Sequence, residues 1–186
     1  HFKPIIVSKS TFLKEFFDKK GMVGSVVPSS KFLIQMMLRR IDFEGAKLIV
    51  ELGPGTGVIT DEIIKRLKPN TQLLVIELND TFYRDLKSRI SAPRVTIKKG
   101  CATDLSRFIN TLGMEKADYI VSSLPLAILP HLLRKRIVID INTHLRPNGS
   151  YIQFQYTLQS LKLFKKIFKK VSIKHCLLNV PPAFVY

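Results

Sequence analysis

The chain has 186 residues, 46% of them hydrophobic, with 30 Lys and Arg against 14 Asp and Glu, for a formal net charge of +16. No apolar run reaches the ~18 residues of a membrane span, the N-terminal segment lacks a signal-peptide pattern, and the two cysteines, Cys101 and Cys176, have no metal-ligand spacing, so a reduced, cytoplasmic protein without a metal is expected. Such a charge repels itself unless it meets polyanions, which points to nucleic acid or an anionic membrane face, with no obligate protein partner indicated.

In chain order, Phe12, Leu13, Phe16 and Phe17 share one side of a first helix whose other side carries Lys9, Lys14, Glu15, Asp18, Lys19 and Lys20. A loop over residues 21–28 separates it from a second helix, capped by Ser29 or Ser30 and running through Phe32, Leu33, Met36, Met37 and Ile41, with Arg39 and Arg40 at its carboxyl end. The apolar run Lys47-Leu48-Ile49-Val50 then predicts a strand, and from there strands and helices alternate. Helices are expected over residues 60–67, 81–90 (capped by Asp80), 105–112 and 129–145, with strands over 73–77, 95–97, 118–123 and 151–156. Residues 170–178 and 183–186 read as an antiparallel pair closing the sheet. No Gly-, Ser- or Pro-rich linker interrupts this order, so one domain over residues 1–186 is expected, a helical extension over 1–43 and a core over 44–186.

Two strand ends carry the chemistry. The first runs into Glu51-Leu52-Gly53-Pro54-Gly55-Thr56-Gly57, where alternating glycines let the backbone turn sharply and approach a ligand. The second ends in Glu77, an acid at the right distance to accept from the two hydroxyls of a ribose. The glycine order is neither the dinucleotide fingerprint nor a P-loop. It resembles the first motif of the S-adenosylmethionine (SAM) methyltransferases of the Rossmann-like class. That resemblance implies an α/β fold, a mostly parallel seven-stranded sheet with helices on both faces, and SAM as cofactor. Its residues would be Glu51 at the methionine end, the turn Gly53, Pro54, Gly55 and Gly57, then Glu77 and Leu78 at the ribose, with Ser122 also near the cofactor. After the third strand such enzymes carry Gly-Asp-Ala, whereas this chain has Gly100-Cys101-Ala102, so Cys101, Ala102 or Asp104 is expected to meet the adenine amino group.

With Gly24-Ser25-Val26-Val27-Pro28-Ser29-Ser30, ELGPGTGVIT, VIELN, Ser122-Ser123-Leu124-Pro125-Leu126, Phe154-Gln155-Tyr156 and Asn179-Val180-Pro181-Pro182-Ala183, the chain resembles the bacterial and archaeal phospholipid N-methyltransferases. These are related to the ribosomal RNA adenine dimethyltransferases. The end of the fourth strand separates the two. Planar-amine enzymes place Asn or Asp, then Pro, then an aromatic there, whereas Leu126 offers no ring on which a base could stack. The resemblance therefore implies methylation of phosphatidylethanolamine-type headgroups at the inner membrane face, with Ser122, Ser123 and Tyr156 around the amine; the phenylalanine face of the first helix would either insert into that membrane or pack on the core and cover the cofactor. RNA adenine methylation is the alternative, for which the charge would be the phosphate footprint; no added C-terminal helical domain is read in the sequence. A silent RNA- or membrane-binding module that keeps the fold is a third class, separated from both by whether SAM binds.

Overall fold

The computed structural model describes residues 30–186. Helix α1 (Lys31–Leu38) starts where Ser30 Oγ accepts the Leu33 N–H at 3.2 Å, one of the helix-end donors that otherwise lack a partner. Its buried residues Leu33, Ile34, Met37 and Leu38 recur at the spacing that puts them on one stripe. The expected first helix, with Phe12, Phe16 and Phe17, and the loop over residues 21–28 lie outside the described residues.

Strand β1 (Leu48–Leu52), helix α2 (Val58–Ile64), β2 (Gln72–Glu77), α3 (Asp80–Arg89), β3 (Val95–Lys99), α4 (Leu105–Asn110), β4 (Ala117–Ser122), α5 (His131–Thr143) and β5 (Leu145–Gln155) follow, then α6 (Leu161–Ile167), β6 (Lys174–Cys176) and β7 (Ala183–Val185). The sheet has seven strands in the order β3-β2-β1-β4-β5-β7-β6. Strands β1 to β5 are mutually parallel, and β7 runs antiparallel to both β5 and β6. The order reverses between β1 and β4, which in open α/β sheets opens a crevice at the carboxyl ends of the strands.

Side chains alternate across the central strands and feed two cores. Leu48, Val50 and Leu52 of β1 pack with Phe108 of α4, Val138 of α5 and Phe164 of α6. Ile49 joins Met37 of α1, Ile59 of α2 and Leu86 of α3 on the other face. No helix among the described residues is long and apolar enough to cross a membrane.

Four local expectations differ from the structure. The cap of α3 is Asn79, whose Oδ1 accepts from the N–H groups of Thr81 and Phe82, while Asp80 enters the first turn and pairs with Lys99. Strand β5 begins at Leu145, because Pro147-Asn148-Gly149 is absorbed as an irregularity within the β4–β5 pairing, with Asn148 at φ +66°. Helix α6 occupies a stretch for which no helix was expected, and the strand expected over residues 170–178 is shortened to Lys174–Cys176.

Candidate active site

The glycine turn after β1 is held open by backbone geometry. Gly53, Gly55 and Gly57 all have positive φ, at +66°, +58° and +82°, a region that costs any residue with a Cβ. A Cβ on Gly53 would stand 2.9 Å from Leu124 Cδ2, so the loop after β4 packs directly on the turn after β1. At Gly57, where α2 starts, the space is taken by Leu86 and Arg89 of α3. Arg89 donates from Nη2 to the Thr56 carbonyl at 2.7 Å and from Nη1 to Asp61 at 2.7 Å, bracing the turn from α3. Sequence reasoning missed Arg89 because no motif marks a brace that reaches across 33 residues.

Glu51 is wholly buried, and neither carboxylate oxygen has a hydrogen-bond partner. Burial pushes its pKa up to about 8, with the Glu77 and Asp61 charges adding to the rise; the Thr60 hydroxyl offsets part of it without closing a bond of ordinary geometry. Glu77 is nearly as buried, but its Oε2 accepts the Gly55 N–H at 3.0 Å and its Oε1 the Asn79 N–H at 2.7 Å. Burial raises its pKa too, opposed by those backbone donors. A buried, unpartnered acid beside a backbone turn open to close approach fits a cationic nucleoside such as SAM, whose ammonium and sulfonium would satisfy it.

Beyond β3 the strand ladder continues, with the Gly100 N–H donating to the Glu77 carbonyl at 2.9 Å. Thr103 donates from its N–H and hydroxyl to Cys101 Sγ, and Asp104 Oδ2 accepts the Cys101 N–H at 3.4 Å. Asp104 thus closes its own turn, with Arg107 alongside at 3.6 Å. Cys101 and Ala102 are buried and Leu78 is half-buried against the same core. These residues stand at the ends of β2 and β3, the side of the crevice where Glu77 sits.

Opposite lies the loop after β4. Ser122 is wholly buried, and its Oγ accepts the Leu124 N–H at 3.2 Å; the Ser123 N–H donates to the Leu52 carbonyl at 3.0 Å. Pro125, at φ −78° and ψ 65°, makes an inverse γ-turn in which the Leu126 N–H reaches the Leu124 carbonyl at 2.8 Å. The same carbonyl receives the Nε2 groups of Gln153 and Gln155, each at 3.1 Å. Both glutamines are buried, and Gln153 is fixed in turn by the Tyr151 hydroxyl, which donates to its Oε1 at 2.5 Å. Leu126 has no exposed surface and sits in the core, whereas Tyr156, just past β5, is exposed with Phe154 edge-on to its ring. Sequence reasoning did not single out Gln153 as part of this site. Among the described residues no group of His, Cys, Asp and Glu is arranged to hold a metal ion.

Residues 49–149 match the family model for a methyltransferase domain. The ornithine lipid N-methyltransferase of Singulisphaera acidiphila is 31% identical over 94% of this chain and 92% of its own length. The chain belongs to the family of SAM-dependent N-methyltransferases that includes this ornithine lipid enzyme. The family is close to the RNA enzymes: the ribosomal RNA small subunit methyltransferase A of Ureaplasma urealyticum is 31% identical over 78% of this chain, which spans about half of that protein, 52%. Among solved structures, the N-methyltransferase NodS of Bradyrhizobium japonicum superposes with a TM-score of 0.64 at 15% identity, over 82% of this chain and 91% of its own. That likeness shows the Rossmann-like methyltransferase fold. For this N-methyltransferase the cofactor is SAM.

Proposed function

We propose that the chain methylates the aliphatic amine of a membrane-lipid headgroup, of the phosphatidylethanolamine or ornithine-lipid type, acting peripherally at the anionic inner face of the membrane. The observation that carries this reading is the saturated Leu124 carbonyl. A planar amine such as that of adenine is held by a carbonyl of this loop together with a stacking ring. Here the carbonyl, with two lone pairs, already meets three donors, and the residue at the ring position, Leu126, is turned into the core. An aliphatic amine needs neither. The near full-length likeness to an ornithine lipid enzyme supports the same substrate class.

In this reading Glu51 would hold the methionine end of SAM and Glu77 the ribose hydroxyls. Gly53, Pro54, Gly55 and Gly57 supply close backbone approach, and Leu78, Cys101, Ala102 and Asp104 surround the adenine. Bound SAM supplies an electrophilic methyl group on a sulfonium. Ser123 Oγ and the Tyr156 hydroxyl would orient the amine, once it has lost a proton to water, so that its lone pair faces the group to be transferred. Ser122 keeps the loop in place through the Leu124 N–H. Positioning and exclusion of water then contribute most of the rate.

RNA adenine methylation is the second reading, favoured by the RNA relatives and the net charge. Methyl transfer from labelled SAM should be measured on vesicles containing phosphatidylethanolamine, on vesicles containing ornithine lipid, and on ribosomal RNA. Transfer to either lipid is expected, and transfer to RNA alone would reverse the assignment.

A further inference from the structure

Large apolar side chains left exposed on a monomer are usually scattered, but here they gather at one edge. Ile128 and Leu132 come from the loop after β4 and the first turn of α5. Tyr156 and Leu158 follow the end of β5. Because β7 runs antiparallel to β5, the loop between β6 and β7 returns to this same edge, bearing Leu177, Leu178 and Val180, the last 79% exposed. Phe32 joins them, since the Ser30 N–H is bound to Asn179 Oδ1 of that loop at 2.9 Å. Of the large apolar side chains exposed among the described residues, only Ile139 lies elsewhere. The edge they share is the one that carries the acceptor loop.

The charge around this rim has one sign. Lys31, Lys135, Lys162 and Lys174 are exposed on the elements that carry it, and Asp140 is the last acid of the chain, so residues 141–186 contain none. Residues 30–41 and 119–139 contain none either. The acids at this end of the sheet, Glu51, Asp61, Glu77, Asp80 and Asp104, lie on the cofactor side, at the ends of β1 and β2, in the first turns of α2 and α3 and in the turn after β3.

We infer that the rim formed by the β4–α5 loop, the β5–α6 connection and the β6–β7 loop is the surface that docks on an anionic bilayer, apolar tips in the headgroup layer and lysines on the phosphates, so that the acceptor loop opens onto lipid. This rests on the lipid-amine reading. Aliphatic tips gain free energy by entering a headgroup layer, and lysines near an anionic surface are attracted to it, so the two act together. An RNA-binding edge would instead present rings to stack on bases beside cations for the phosphates, whereas six of the eight tips here, Ile128, Leu132, Leu158, Leu177, Leu178 and Val180, are aliphatic.

The test is flotation of the full chain with vesicles of phosphatidylcholine alone or with phosphatidylglycerol, for the parent, the double variant Leu177→Glu/Leu178→Glu, Val180→Glu and the control Ile139→Glu. Circular dichroism and SAM titration check that each variant folds. Parent and Ile139→Glu should float with the anionic vesicles and less so at high salt, while the rim variants lose at least about tenfold in binding and keep SAM affinity and transfer to water-soluble phosphoethanolamine. Undiminished binding by the rim variants would overturn the inference, as would loss only on replacing Phe12, Phe16 and Phe17 by Ser, or a rim that serves RNA and no vesicle. If rim variants bind normally while the parent methylates lipid, the docking surface fails and the substrate reading stands. A rim needed for vesicle binding by a protein that methylates no lipid would have the reverse meaning.

Discussion

Glu77 Oε2 accepts the Gly55 N–H at 3.0 Å, so the acid at the end of β2 closes onto the middle of the glycine turn after β1. The carboxylate that would receive the ribose is thereby tied to the backbone that would meet the amino-acid end of the cofactor. The two ends of the cofactor crevice are set by one side chain.

Glu77→Ala should therefore weaken SAM twice over, by removing the ribose acceptor and by releasing Gly55. Hydrogen bonds to a charged group contribute roughly 1.5–3 kcal/mol, so affinity should fall about tenfold or more in calorimetric titration. Glu77→Gln, which keeps an acceptor oxygen, should lose less.

Glu51 gives the protein a pH signature. Its pKa of about 8 means that the free protein carries a proton there at neutral pH, and a cationic cofactor favours the ionised form. SAM affinity should rise with pH up to about 8, by at most about tenfold per unit, with protons released on binding. Stability of the free protein runs the other way. The native state holds this proton more tightly than the unfolded chain, so its contribution is full below the ordinary carboxylate pKa of 4.5 and is lost as pH rises to about 8. Glu51→Gln should flatten both profiles, read by titration in buffers of different ionisation enthalpy and by thermal melts.

Gln153→Leu and Gln155→Leu should separate acceptor from cofactor. Each removes one buried donor from the Leu124 carbonyl, so the loop loosens and KM for the lipid amine should rise several-fold while SAM affinity falls less, since the glutamines act on the glycine turn only through Leu124. Steady-state kinetics on lipid vesicles with parallel SAM titration would show the split.

Leu126→Tyr should not create a stacking platform. The position has no exposed surface, so the larger ring overpacks the core and should cost about 1–3 kcal/mol, seen as a lower Tm, with no gain of RNA methylation.

How legible these features were depends on whether neighbours in space were neighbours in sequence. The β1 turn and Glu77 could be read directly, because glycine spacing and an acid at a strand end are local signals with one mechanical meaning. The buried glutamines could not, since Gln153 and Gln155 act on Leu124 from 29 and 31 residues away and look like ordinary strand residues. Asn79 and Asp80 are both good caps, and only the geometry at the end of β2 decides between them. The start of β5 was hidden because Pro147-Asn148-Gly149 is turn chemistry that the strand absorbs. Leu126 was read correctly as lacking a ring, but not that it faces inward.

The bond from the Ser30 N–H to Asn179 Oδ1 joins positions 149 residues apart, and Asn179 Nδ2 in turn donates to the Pro181 carbonyl at 2.7 Å. The entrance to α1 and the hairpin that completes the sheet are therefore pinned together through Asn179, beside the core they share. Trimming the chain through Ser30 would loosen the β6–β7 hairpin along with whatever was removed, so amide exchange at residues 177–180 should quicken in an Asn179→Ala variant as it should in such a truncation. A comparison of deletions alone would credit the missing segment with losses that belong to a loop near the other end, and point substitutions are the cleaner way to apportion them.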